Sequence, residues 1–294
     1  MDKQDWLAEQ FEAQRPRLRA MAYRILGSLP EAEDAIQEAW LHLSRSDISN
    51  ILNPGGWLTT VVARVCLTML RARESRREQS LEATVPAPII SREGGIDPEE
   101  EAELADSVGL ALLVVLEQLA PAERLAFVLH DIFAVPFDEI APIVERSPTA
   151  ARQLASRARR RVRGVAREAE TDLAASREVV DAFLAASRSG DFDALLRVLD
   201  PNIVFRADRV AVSRGAAGEI YGAVAVAQQV IGRLLWTRFA QPVLVDGTMG
   251  LVVAPHGHLV LLVRLAIKED KIAAIDALAD PAQLRQLHLA VLPD

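Results

Sequence analysis

The chain has 294 residues, half of them hydrophobic, and its 33 Lys and Arg are set against 41 Asp and Glu for a formal charge of −8. Such a chain can bury cores for about two to three domains. No apolar run approaches the roughly 18 residues of a membrane span, and the N-terminal MDKQDWLAEQFEAQ is acidic and amphipathic rather than a secretion signal. Cys66 is the only cysteine, so an intrachain disulfide is excluded and a soluble cytoplasmic protein is expected.

Taken in order, residues 5–45 read as two helices. Trp6, Leu7, Phe11, Leu18, Met21, Ala22, Ile25 and Leu26 recur at helical spacing; Gly27-Ser28-Leu29-Pro30 breaks the pattern, and Glu31 to Leu43 resumes it. The second helix leaves Glu31, Asp34, Gln37 and Glu38 outward, where carboxylates in a first turn suit the helix dipole. Residues 44–56, with Asn-Pro and Gly-Gly, read as a loop. A helix then runs from Trp57 through Val61, Val62, Val65, Leu67 and Leu70, with a basic side of Arg64, Arg71, Arg73, Arg76 and Arg77. A polar loop, an aromatic ring and a track of arginines can together receive extruded bases and follow phosphates, although Trp57 by itself reads as core.

Residues 78–106 hold nine acids against one base, Arg92, and so account for the whole net charge. The segment also contains Pro86, Pro88, Gly94, Gly95 and Pro98, the composition of an extended or disordered linker. Outside it, charge sums to zero with basic clusters at 64–77 and 152–163, so the chain's acidity does not argue against a polyanionic partner.

The stretch 121–163 is the most informative. Leu125, Phe127, Val128 and Leu129 cluster, Pro136 breaks the helix, and Phe137, Ile140 and Ile143 recur before Ser147 and Pro148, an N-cap and a first helical residue. The helix from Pro148 keeps Ala151, Ala155, Ala158 and Val162 for packing. It carries Arg152, Arg157, Arg159, Arg160, Arg161 and Arg163 with no acid, and such a charge repels itself unless neutralised by a polyanion. The pattern is that of a helix-turn-helix reading a major groove.

After Arg163 the spacing predicts a helix over 165–187, another near Val224–Leu235, and strands at Pro242–Val245, Gly250–Ala254 and His258–Ala266, the last continuing through a Lys268–Lys271 turn into a further strand. Helices followed by a curved antiparallel sheet give an α+β domain with a concave interior. Asp208, Tyr221, His256 and His258 are the residues there that could do acid–base chemistry.

Three segments carry a family resemblance: AYRILGSLPEAEDAIQEAWLHL (22–43), NPGGWLTTVVARVCLTMLRAR (53–73) and LEQLAPAERLAFVLHDIFAVPFDEIAPIVERSPTAARQLASRARRRV (116–162). They resemble, in order, the polymerase-binding helices, the −10 module and the −35 module of bacterial sigma factors of the extracytoplasmic-function type. The resemblance implies that Asp34, Gln37 and Glu38 grip core RNA polymerase. It places Asn53, Trp57, Arg64 and Arg71 on −10 DNA, with a flipped base held in the loop before Trp57. Thr149, Arg152, Gln153 and Ser156 would face −35 bases, and Arg157, Arg159 and Arg160 would hold phosphates.

Residues 173–280 resemble the SnoaL-like, or NTF2-like, cone that one group of these sigma factors carries in cis, and ADPAQLRQL (279–287) is similar to that group's Asn-Pro-Asp-Lys-Leu motif. Asp208-Arg209-Val210-Ala211 stands where the group has Asp-Gly-Gly-Gly-Lys, and LEATVPAPII (81–90) lacks its Trp-Leu-Pro signature.

The expected architecture is therefore multidomain: two all-α modules, sigma region 2 (1–77) and region 4 (107–167), joined by the acidic linker (78–106) and followed by an α+β cone (168–294). The expected partners are core RNA polymerase and promoter DNA, with a small molecule or an intramolecular contact acting on the tail. The free chain is expected to be monomeric, with no catalytic activity, cofactor, metal or membrane contact. Two alternatives are a one-component helix-turn-helix regulator with a ligand domain, and a SnoaL-type isomerase or cyclase fused to a DNA-binding module.

Overall fold

A computed structural model describes residues 3–45, 53–79, 109–164 and 170–292. The acidic linker is expected from residue 78, but the helix before it runs on to Gln79; the rest of the linker and most of the loop before Trp57 lie outside the described residues. Contacts divide the chain into two compact units, Met1–Val108 with Leu119–Arg159, and Gly109–Gln118 with Arg160–Asp294.

In the first unit, α1 (Lys3–Leu26), α2 (Leu29–Arg45) and α3 (Pro54–Gln79) pack on one another. Leu18, Met21, Ile25, Leu26, Ile36, Leu58 and Val62 are essentially inaccessible, and each such side chain contributes about 1.5–3 kcal/mol. Helix α3 begins three residues before Trp57. The Asn-Pro pair that reads as a breaker is a start signal, because Asn53 Oδ1 accepts the Gly56 N–H at 3.0 Å and Pro54 fills the first helical position.

A short helix α4 (Leu110–Glu117) belongs to the second unit. The first unit continues with α5 (Pro121–Phe127), a π-helical turn (Val128–Ile132), α6 (Phe137–Val144) and α7 (Pro148–Arg163), whose last four residues fall in the second unit. Ser147 caps α7 as its sequence predicts, its Oγ accepting the Ala150 N–H at 3.2 Å. Helices α5 and α6 pack directly on α3. The nearly buried Arg124 of α5 donates from Nη2 to the Arg24 carbonyl at 3.4 Å, and the Arg24 guanidinium lies 5.5 Å from the Phe133 ring centre.

The second unit holds α8 (Glu170–Ser189), α9 (Phe192–Val198), β1 (Leu199–Ala207), α10 (Arg209–Ser213), β2 (Glu219–Tyr221), α11 (Ala223–Ile231), α12 (Leu234–Thr237), β3 (Ala240–Val245), β4 (Thr248–Val253), β5 (Leu261–Lys268), β6 (Lys271–Leu278), α13 (Pro281–Leu284) and β7 (Leu289–Ala290). The sheet order is β2-β1-β6-β5-β4-β3-β7. The tail is α+β as expected, but its sheet is mixed, since β1 runs parallel to β6. Strand β1 has no clean alternation because Pro201 and Asn202 interrupt it, and β7 is two residues long. The two-residue loops Asp246-Gly247 and Glu269-Asp270 have positive φ throughout, as tight hairpins require.

Helices α8, α9 and α11 cover one sheet face through Val180, Phe183, Leu195 and Val226. Helix α4, expected to open the helix-turn-helix module, packs against β3 and β7. Its sequence, LALLVVLE, is apolar all round, with Leu110 and residues 113–116 buried. Glu117 Oε1 meets His258 Nδ1 at 3.0 Å, and Gln118 donates to the Leu287 carbonyl and accepts from the Leu289 N–H, both at 3.3 Å. The end of α7 joins the same unit, where the Val291 N–H donates to the Val162 carbonyl at 2.8 Å. Gly164 stops α7 at φ 58, and a Cβ there would lie 2.4 Å from that of Ala290.

The two tail segments singled out by sequence meet at Asp208. Its Oδ1 caps α10 by accepting from Ala211 N–H, and its Oδ2 accepts from Ala279 and Asp280, each at 2.7 Å. Burial works against the charge, but N–H donors from Ala211, Asp280, Ala279 and Val210 outweigh it and hold the carboxyl below its ordinary value.

Asp208→Ala leaves three N–H groups without an acceptor and is expected to cost the tail about 1–3 kcal/mol in urea unfolding. A depressed folded pKa means that the carboxylate's contribution is present above its unfolded value and lost as pH falls through the folded one. The gap between wild type and variant should therefore narrow in acid. Cys66 is buried, which pushes its thiol up to about 12, so a thiol reagent at pH 8 should label it only after denaturation.

Candidate nucleic-acid interface

Helix α2 sorts its acids by partner. Glu31 pairs with Arg73, and Glu33 pairs with Arg15 and Arg19 at 3.4 and 2.6 Å, so these two tie the bundle together. Asp34, Gln37 and Glu38 are exposed, spaced to share one face opposite the buried Ala32, Ala35, Ile36 and Ala39. Glu38 lies 3.7 Å from His42, an exposed pair. Among the described residues no ion pair occupies Asp34.

On α3, Trp57, Arg64 and Arg71 stand at seven-residue steps and so line one stripe. Trp57 is half-buried and the two arginines are exposed, with Arg71 4.0 Å from Glu145, the residue that follows α6. Asn53 lies at the head of this stripe with its side-chain oxygen spent on capping. The expected base-holding loop falls mostly outside the described residues.

On α7, Thr149, Arg152, Gln153 and Ser156 are exposed at helical spacing, and Ala151, Ala155 and Ala158 on the opposite side are fully buried. The arginines do not form the uniform cationic face that the sequence predicts. Arg157 Nε donates to Glu123 of α5 at 2.8 Å and Arg159 Nε to Asp131 of the π-helical turn at 2.5 Å. Part of the self-repulsion is relieved by acids packed beneath the helix rather than left for a polyanion. Arg160 is exposed and, among the described residues, has no such partner. The guanidinium of Arg152 lies 5.2 Å from the Phe137 ring centre. Nothing in sequence marks Glu123 and Asp131, and Phe137 reads there only as part of an apolar pattern, because only tertiary packing brings α5, the turn and α6 under α7.

A sigma-70 region 2 profile matches residues 10–76, and a sigma-70 region 4 profile matches residues 109–162. The chain is 36% identical over 287 residues to the ECF RNA polymerase sigma factor SigJ of Mycobacterium tuberculosis H37Rv, an alignment covering 92% of this chain and 91% of that protein. This chain belongs to the ECF sigma factor family. It is also 33% identical over 297 residues to the "Probable ECF RNA polymerase sigma factor SigI" of the same organism, covering 98% of each. Among solved structures, that of M. tuberculosis SigJ covers 94% of this chain and 97% of its own at 32% identity, with a TM-score of 0.43.

The region 4 match begins at residue 109, so in this sigma factor the helix that opens region 4 by sequence, α4, is packed on the tail sheet. Replacing Glu123 and Asp131 by Gln and Asn frees two arginines. Binding of the sigma factor's polymerase complex to promoter DNA is expected to tighten, and the slope of log affinity against log salt to steepen by up to about 0.9 for each arginine freed. A salt titration of the variant against wild type measures it.

Proposed function

We propose that this sigma factor binds core RNA polymerase through the α2 face of Asp34, Gln37 and Glu38 and directs it to promoters read by α3 and α7. What carries the reading is the ordered pair of region 2 and region 4 in a chain aligned along nearly its whole length with other ECF sigma factors. The division of acids on α2 supports the polymerase assignment, since Glu31 and Glu33 hold the bundle while Asp34 and Glu38 remain for a cationic partner. On α3, Asn53, Trp57, Arg64 and Arg71 would follow −10 DNA. On α7, Thr149, Arg152, Gln153 and Ser156 would face −35 bases, with Arg160 on phosphate. Arg157 and Arg159 would reach phosphate only in exchange for Glu123 and Asp131.

A one-component regulator leaves the region 2 match unexplained. A catalytic tail is disfavoured by where three of its four candidates lie, the side chain of His256 falling outside the described residues. Asp208 is spent on three backbone donors, Tyr221 is 66% exposed with Glu219 raising its pKa, and His258 faces Glu117. Among the described residues no helix is long and apolar enough to cross a membrane. We place its action in the cytoplasm, as a monomer when free, and assign the tail a regulatory role in cis.

Helices α5 and α6 pack directly on α3, whereas −10 and −35 elements about 25 base pairs apart lie about 85 Å apart at ~3.4 Å per pair. The described arrangement must open on polymerase. Moving a 1:99 population to 99:1 takes about 5.5 kcal/mol of preferential binding.

Asp34→Lys with Glu38→Lys should abolish pull-down of core polymerase while leaving the melting temperature nearly unchanged, as both side chains are exposed. Ending the chain near Arg167 should alter run-off transcription without altering base preference.

A further inference from the structure

The π-helical turn and the start of α6 carry a chain of rings that ends on α7. His130 Nδ1 donates to the Val135 carbonyl at 3.0 Å. Because a carbonyl only accepts, this bond fixes the proton on Nδ1 and the plane of the imidazole. The His130 ring stacks on Phe137 with centres 3.8 Å apart and planes inclined by 29°. The Arg152 guanidinium stands over the same Phe137, 5.2 Å from its centre, yet Arg152 remains exposed.

An exposed arginine samples many rotamers, and reading a base costs the entropy of choosing one. A ring over which the cation sits reduces that cost in advance, and arginine suits the arrangement because its planar fork can rest on an aromatic face and still offer N–H donors at its edge. Arg157 and Arg159 are held instead by carboxylates, which oppose transfer to phosphate; Arg152 is held by a neutral ring, which does not compete for hydrogen bonds.

The geometry points to Phe137, braced by His130, as a positioning residue that presets Arg152 for base recognition and thereby sets how sharply the −35 element is read. This rests on Arg152 being a base contact, so the test separates the two. The full chain with core polymerase selects promoters from a library randomised across the −35 element, and discrimination is read position by position. Arg152→Ala identifies the position that Arg152 reads.

Phe137→Leu should then lower discrimination at that position about twofold to fivefold, the worth of an exposed cation–π contact, and leave the other positions unchanged. Phe137→Tyr should restore it. Arg152→Ala combined with Phe137→Leu should discriminate no worse there than Arg152→Ala alone. If Phe137→Leu unfolds, His130→Leu removes the bracing ring and the same ratio is read. Unchanged discrimination in a folded Phe137→Leu or His130→Leu, a loss spread over all positions, or a further loss in the combined variant overturns the positioning role alone. Arg152→Ala flattening no position overturns the base contact and the positioning role with it.

Discussion

Burial of the small inner stripe of α7 is the constraint on which the DNA-facing half depends. Ala151, Ala155 and Ala158 are fully buried and offer only methyl groups, so this side of the helix is covered without any bulky side chain. With that stripe facing inward, side chains leaving the flanks of α7 reach α5, the π-helical turn and α6. Two flank arginines meet Glu123 and Asp131, and Arg152 meets Phe137. A bulkier inner stripe would lift the helix and loosen all three contacts together.

The bundle of α1 to α3 follows the same economy of charge. Buried and half-buried arginines are matched to acids or carbonyls, as Arg19 is to Glu33 and Arg73 to Glu31 and the Leu26 carbonyl. The acids left over on α2 are those on its outer face. Exposed pairs contribute little to stability, so Asp34, and Glu38 beside the exposed His42, give the fold almost nothing and stay available to a partner.

The tail is built on a different requirement. A sheet has two faces, and α8, α9 and α11 cover one of them. On the other, β2, β1, β6 and β5 carry a ladder of opposite charges, Glu219, Arg206, Asp276 and Arg264, with neighbours 3.2–3.9 Å apart. At its far end, β3 and β7 pack against α4, whose all-round apolar sequence would be insoluble alone. Region 4 and the tail sheet thus share one helix, and truncating the chain after α7 would uncover it.

Sequence by itself determined most helices and caps, because those depend on local chemistry: the Ser147-Pro148 start of α7 and the hairpin at Lys268–Lys271 stand where the pattern puts them, and the break after Leu26 is present but shorter than Gly27–Pro30, α2 resuming at Leu29. It also marked the stripes of α2, α3 and α7, since side chains four residues apart on a helix must share a face. It misjudged Asn53-Pro54, a cap that reads as a breaker, and the antiparallel sheet, because the pairing of β1 with β6 joins strands more than sixty residues apart. Only tertiary structure decided which arginines of α7 are already compensated, that Asp208 holds residues 279 and 280, and that α4 docks on the tail sheet. Each of these joins groups distant in the chain, and no local periodicity records such a meeting.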